Sequence, residues 1–300
     1  MIWTLLGADF SQAPSRDIWR QPAVWLFILG WMVLPTGLAI LWRWNLAFNF
    51  DIRLSLAVCM TTQALAWTGR YLPGKAGLWL AKLGITVDLA QNRKRLGHSV
   101  LAEQLLFLMT GMILAAVLMP WHVVLSLPEV VSTVPDAFLQ FGKSVWWLPL
   151  LAVLFFLVFV AMFVVFIALG KKLGGMVGWW SAPHWMLLAA GHGILHVLVG
   201  LSLYPLIVVL LPSAAETLGV SGVIAALALG NCVGILAIFA PAGLGVREVV
   251  LALCLSENIG FPGALSVAVF LRLLTLLADA GFALLAWSLG SLWQRFYLSS

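Results

Sequence analysis

A chain of 300 residues with 63% hydrophobic and 9% charged side chains cannot build a water-soluble surface, which takes roughly 25% charged residues. Its formal net charge of +5 is too small to argue for nucleic acid, so none is expected as a partner. Cys59, Cys232 and Cys254 each sit in an apolar run, are odd in number and show no CxxC spacing, so neither disulfides nor zinc are indicated.

Met1 to Pro22 contains Asp9 and Asp17 and lacks the basic-then-apolar order of a signal peptide, so 1–22 reads as an extramembrane or interfacial lead-in. Apolar runs follow at 23–42, 54–69, 76–90, 98–119, 145–169, 185–211, 221–240, 246–258 and 263–292. A hydrocarbon core about 30 Å thick takes roughly 20 helical residues to cross. The runs 54–69, 76–90 and 246–258 are therefore expected to be half-helices. The fold class expected is all-α: one polytopic transmembrane bundle over 23–292, followed by a short cytoplasmic tail at 293–300.

Basic residues set the orientation. Arg93, Lys94 and Arg95 mark one cytoplasmic connection, and Lys171 with Lys172 marks another. Glu129 and Asp136 against Lys143 in 120–144, and Glu216 in 212–220, mark periplasmic ones. Arg295 then returns to the cytoplasm if 221–258 enters the bilayer and leaves by the same face. The same parity makes 54–90 a dip from the cytoplasm, with Arg43 and Arg53 on that side before it. The dips turn at Tyr71-Leu72-Pro73-Gly74-Lys75 and at Pro241-Ala242-Gly243-Leu244-Gly245, where proline removes a donor and glycine loosens the backbone. Interrupted hydrophobic segments in matching places of two halves point to an inverted repeat of re-entrant hairpins around a midplane site. This symmetry is one of topology, since no residue-level repeat is evident. Ala226, Gly230 and Gly234, spaced by four, are expected to let the second dip pack closely on a neighbouring helix.

Non-helical backbone at membrane depth is tolerated where it is buried in protein or lines a wet cavity. Helices starting after Gly74 and Gly245 would aim N–H groups at that cavity and favour an anion. Arg70 and Lys75 flank the first tip, Arg247 and Glu248 follow the second, and Lys82 lies two turns beyond Lys75. Arg272 and Asp279, seven apart, share a face of the last span, and Glu103 lies one turn into the span after the basic loop. Charge at the bilayer centre costs at least about 2.5 to 3.5 kcal/mol, so each needs a partner or a function. Glu248, Asp279 and Glu103 are expected to neutralise part of the arginine charge and leave the cavity net positive. The plainer alternative is that these are helix-end charges reaching out to the interface.

His192 and His196 stand at i and i+4, a spacing that could serve a metal or a proton relay, although hydrogen bonding between helices is the commoner use. Most of the sixteen tryptophans, including Trp146-Trp147, Trp179-Trp180 and Trp293, read as interfacial anchors, while Trp67 and Trp79 could meet a lipid tail. No hydrolase elbow, HExxH, P-loop or dinucleotide fingerprint is present, so neither an enzyme nor a cofactor is expected.

The string APAGLGVRE at the second tip resembles the signature of the flippase-like membrane domain of bacterial lysylphosphatidylglycerol synthases and of stand-alone membrane proteins. GRYLPGKAGLWLAKLG is similar to that family's first Pro-Gly turn, HSVLAEQLLFLMTG to its Glu-containing span and FLRLLTLLAD to its last Arg-containing span. The motifs carry over Pro73, Gly74, Lys75, Glu103, Pro241, Gly243, Gly245, Glu248 and Arg272. The family has a further helix before 23–42, which Met1 to Gln21 is too polar to supply, so a periplasmic N-terminus is expected. No attached synthase domain is expected, and aminoacyl transfer is not implied. The resemblance implies movement of lipids between the leaflets of the bacterial inner membrane. The expected substrate is an anionic phospholipid or polyprenyl-phosphate-linked lipid, held by Arg70, Pro73, Gly74, Lys75, Pro241, Gly243, Gly245, Arg247, Glu248 and Arg272, with Glu103 and Asp279 as charge partners. Self-association, or association with a lipid-modifying or glycan-synthesis enzyme, is a further expectation. Two rivals stay open: a secondary transporter of a soluble anion or ion-coupled solute, and a non-transporting partner or membrane-embedded enzyme using His192 and His196.

Overall fold

The computed structural model describes residues 16–72, 76–90, 93–120, 123, 182–237, 240–257 and 259–298. Pro73, Gly74, Lys75, the run 145–169, Lys171 and Lys172 lie outside the described residues. All regular structure described is helical: α1 (Pro22–Asn49), α2 (Leu56–Gly69), α3 (Ala76–Ala90), α4 (Arg93–Leu118), α5 (Ala182–Leu210), α6 (Pro212–Leu236), α7 (Val246–Leu255) and α8 (Gly260–Leu298), with short 3-10 turns at Arg16–Arg20 and Pro241–Gly243.

Among the described residues, five helices are long and apolar enough to cross a bilayer, namely α1, α4, α5, α6 and α8. Their outward faces carry large apolar side chains such as Leu29, Val117, Met186 and Leu284, which suit hydrocarbon and not water. The chain is a multi-pass membrane protein.

The short runs are short helices. At 1.5 Å per residue α2, α3 and α7 reach only about 21, 22 and 15 Å, against a core of about 30 Å. The helix α6 differs from the expectation of a run starting at 221. It begins at Pro212, whose missing N–H is harmless at a first helical position, and it is long enough as a whole to cross. Gly219 breaks it, at φ 60° and ψ −175°, so its apolar arm starts where the hydrophobic run does. Helix α1 continues past Trp42 because its polar end finds partners. Arg43 Nε donates to the Leu54 carbonyl at 3.1 Å, Asn45 Nδ2 to the Ser99 carbonyl at 3.1 Å, and Asn49 Nδ2 to Asn45 Oδ1 at 3.0 Å. Arg95 donates to the Phe50 carbonyl at 3.5 Å, so the basic start of α4 and the Phe50–Leu54 link share one end of the bundle.

Helix α1 packs on α2, α4, α5 and α8, while α6 packs on α4, α5 and α7. Helix α8 runs against α1, α2 and α7, and so touches one arm each of the α2–α3 and α6–α7 hairpins. The main core gathers Phe27, Trp31 and Leu34 of α1, Leu203 and Leu206 of α5, and Phe261, Leu265 and Phe282 of α8.

Both hairpins close on glycine. A Cβ at Gly69 would meet the main chain of Gly77 at 2.7 Å, so α2 and α3 touch backbone to backbone. In the second hairpin, Cβ atoms at Gly230 and Gly234 would meet Leu251 Cγ and Arg247 Cβ, each at 3.3 Å. The small-residue stripe therefore receives α7, the returning arm of its own hairpin, and with it the stem of Arg247.

Candidate functional site

The site assembles on one face of α8. Asp279 accepts four hydrogen bonds. Trp31 Nε1 and Trp67 Nε1 donate to Oδ1 at 2.9 and 2.7 Å, and the Tyr71 hydroxyl and the Arg70 guanidinium donate to Oδ2. Arg70 also lies 4.0 Å over the Trp67 ring, an arrangement that adds cation–π attraction. Seven residues earlier on α8, Arg272 Nε stands 3.6 Å from Glu248 Oε1 at the start of α7, and its NH2 group donates to the Ala242 carbonyl at 3.4 Å. The spacing that puts Arg272 and Asp279 on one face thus engages the second hairpin with one residue and the first with the other.

The two tips meet directly. The main-chain N–H of Ala242 donates to the carbonyl of Arg70 at 2.9 Å. Ala242 holds φ 51°, in the left-handed region that a residue with a Cβ seldom adopts, so this contact is made under backbone strain. Gly243 at φ 71° and Gly245 at φ 86° complete the turn.

Arg247 is the exception among the charges. It is 5% exposed, its guanidinium lies 4.3 Å over the Trp31 ring, and its Nε has no hydrogen-bond partner. Among the described residues no carboxylate lies within 4.0 Å of it, whereas Arg70 and Arg272 each have one. Three guanidiniums around the tips thus face two carboxylates. Arg247 and Arg70 line a cavity of about 80 Å³, with Gln63, Gln104 and Asn231 as its other polar walls and Trp31, Trp67, Leu78, Phe107 and Ile235 among its apolar ones. Gln63 Oε1 is buried there without a hydrogen-bond partner. A site of this kind offers charge and donors to an anion and apolar contact to whatever the anion is attached to.

Arg70, Pro241, Gly243, Gly245, Arg247, Glu248, Arg272 and Asp279 are brought together at the meeting of the tips, while Pro73, Gly74 and Lys75 lie outside the described residues. Glu103 departs from the expectation. Its carboxylate pairs with Lys82 Nζ and not with an arginine, because both side chains turn into the space between α3 and α4. The start of α7 departs too. The Gly245 N–H donates to Glu248 Oε2 at 2.7 Å, so the helix caps itself and part of its anion-accepting end is taken by its own carboxylate. Interface-seeking charge does not describe Lys82, Arg247 or Arg272, all of which are buried.

His196 Nε2 donates across to the Phe107 carbonyl on α4 at 3.1 Å, and His192 Nδ1 donates to Leu188 of its own helix at 2.7 Å. Among the described residues no cluster of donors fit for a metal is found. Sequence reasoning missed Gln63, Gln104 and Asn231 as cavity walls, and Trp31 and Tyr71 as ligands of Asp279. An amide side chain inside an apolar run was the available signal, since hydrocarbon offers it no partner. Comparison with protein-family models, with curated proteins and with solved structures finds no match, so the function rests on the geometry of this site.

Proposed function

We propose that the chain is a lipid flippase or scramblase of the bacterial inner membrane. It would move an anionic phospholipid or a polyprenyl-phosphate-linked lipid between leaflets, with the headgroup passing through the cavity beside the two tips. The observation that carries this reading is Arg247: a buried guanidinium with no carboxylate within 4.0 Å among the described residues, on the wall of a largely apolar cavity. Such a charge is costly in a membrane protein and marks a substrate path by default. The apolar walls favour a lipid over a free anion, since they suit the first carbons beyond a phosphate. In this reading α2–α3 and α6–α7 are re-entrant hairpins of an inverted repeat, entering from opposite faces and meeting at the bilayer midplane. The basic end shared by Arg43, Arg95 and the Phe50–Leu54 link supports a cytoplasmic mouth for the first hairpin. The resemblance of APAGLGVRE and FLRLLTLLAD to the flippase-like domain family points the same way.

The test is reconstitution in liposomes containing fluorescently labelled phosphatidylglycerol, with dithionite quenching as the readout. Loss of fluorescence beyond one leaflet, abolished in Arg247→Met, is the expected result. Quenching equal to that of empty liposomes across several anionic lipids would overturn the proposal, and uptake of phosphate or a small organic anion without lipid movement would replace it by a soluble-anion transporter.

A further inference from the structure

The carboxylates around the two tips are already engaged by the protein. Asp279 Oδ1 accepts from Trp31 and Trp67, and Oδ2 from Tyr71 and Arg70. Glu248 Oε2 takes the Gly245 N–H, and Oε1 stands 3.6 Å from Arg272 Nε. The side-chain acceptors on the cavity walls are amides: Gln63 of α2, Gln104 of α4 and Asn231 of α6. Gln63, Trp67 and Arg70 follow one another at i, i+4 and i+7, so a single stripe of α2 brings the Gln63 amide to the cavity beside the first tip. Gln63 is 3% exposed, and its Oε1 has no hydrogen-bond partner. A buried amide oxygen without a donor is costly, and the donor that satisfies it has to come from water or a ligand in the cavity. Arg247 supplies positive charge on the same walls.

We propose that the cavity reads a phosphodiester whose headgroup carries a free hydroxyl, as in a glycerol or sugar phosphate. Arg247 meets the phosphate, and the Gln63 amide oxygen accepts from the hydroxyl. The terminal torsion of a glutamine is soft, so the amide turns its oxygen toward a hydroxyl seated in the cavity. An ammonium is the wrong donor here. Three guanidiniums face two carboxylates at the tips, so an ethanolamine or serine headgroup brings a further cation to neutral acceptors in a positive site. A hydroxyl is satisfied by an amide and adds no charge. That the headgroup arrives on a lipid rests on the flippase reading, whereas the recognition of its hydroxyl is a property of the cavity alone.

The experiment uses the full chain and compares two lipids of equal charge, phosphatidylglycerol and phosphatidylmethanol, the second lacking the hydroxyls. In native mass spectrometry from detergent with both at equal concentration, wild-type adducts are expected to favour phosphatidylglycerol about fivefold, the effect of one neutral hydrogen bond. Gln63→Met keeps the volume, removes the acceptor and should bring that ratio close to one. A wild-type ratio near one, or a preference that persists in Gln63→Met, overturns the proposal; the wild-type ratio decides on its own should the variant not fold. In liposomes, dithionite quenching of acyl-labelled lipids should follow the same order, with phosphatidylethanolamine slowest, and phosphatidylethanolamine moving as fast as phosphatidylglycerol overturns the exclusion of ammonium headgroups. A labelled polyprenyl-phosphate hexose run beside phosphatidylglycerol separates the two sources of this chemistry, the faster being the carrier. If none of these lipids moves, the flippase reading fails, while the adduct ratio still decides whether Gln63 reads the hydroxyl.

Discussion

The main-chain N–H of Ala242 donates to the carbonyl of Arg70 at 2.9 Å, which joins two hairpins far apart in the chain backbone to backbone. No side chain supplies this bond, so it depends on the turn that presents Ala242. Gly243 has two reasons to be glycine: φ 71°, and a Cβ position 2.7 Å from Gly234 Cα. Gly245 has only its φ of 86°, with open space where a Cβ would go. Gly243→Ala is therefore expected to cost about 2 to 3 kcal/mol, and Gly245→Ala about 1 kcal/mol. Thermal unfolding in detergent should rank them in that order, and equal melting temperatures would show that the close approach to Gly234 is not made.

Asp279 compensates Arg70 inside the bundle. Asp279→Asn keeps the shape and removes the charge, leaving a partly buried guanidinium without its counter-charge, and should lower stability by about 2 to 3 kcal/mol. Replacing both charges, Arg70→Met with Asp279→Asn, should recover part of that loss, since the amide oxygen can still accept from the Trp31, Trp67 or Tyr71 donors. A double-mutant cycle in denaturant measures the coupling, and additive single effects would mean that the pair does not act as a unit.

Arg247 should behave in the opposite sense. Among the described residues no carboxylate within 4.0 Å offsets its burial, and Glu248 and Asp279 act on it only at longer range, so Arg247→Met is expected to leave stability unchanged or raise it by about 1 kcal/mol while lowering lipid transfer by at least about tenfold. Arg247→Lys keeps the charge but not the planar fork that lies over Trp31, and should restore only part of the transfer. A variant that loses stability and keeps activity would assign Arg247 to the scaffold.

Cys59, Cys232 and Cys254 are all free and buried. In the folded protein none should react with a maleimide on the timescale of minutes, and all three should react after denaturation, because thiol reactivity requires an accessible thiolate. Rapid labelling of Cys232 in the native state would contradict its packing against Leu108 and the α4 helix.

Much of the fold was legible because hydrophobic length is a local property. The runs 54–69, 76–90 and 246–258 reappear as α2, α3 and α7 with ends shifted by a few residues, since no polar partner is needed to define where an apolar stretch stops. The second tip was legible for the same reason, as Pro241, Gly243 and Gly245 act on their own backbone, while Pro73 and Gly74 of the first lie outside the described residues. Charge partners were legible in part: Asp279 and Glu248 do meet arginines, while Glu103 does not. Nothing local in Glu103 distinguishes Lys82 from an arginine as its mate; that depends on how α3 and α4 are rotated about their axes. The indole partners were hidden on the same ground. Nothing local in Trp31 or Trp67 shows that both indoles turn inward to Asp279, where a buried carboxylate offers their N–H groups a better partner than hydrocarbon does. The Gly219 break in α6 lay within a polar-flanked stretch where a single glycine carries no signal of its own.

The spacing of Arg272 and Asp279 has a mechanical corollary. One rigid rod carries both latches, one for each hairpin, two turns apart on the same stripe. Sliding or rolling that rod as one body disturbs both latches, so the two tips are geared together. A motion that loosens the Arg70 clasp also strains the Glu248 clasp, as if both hung on a single shaft.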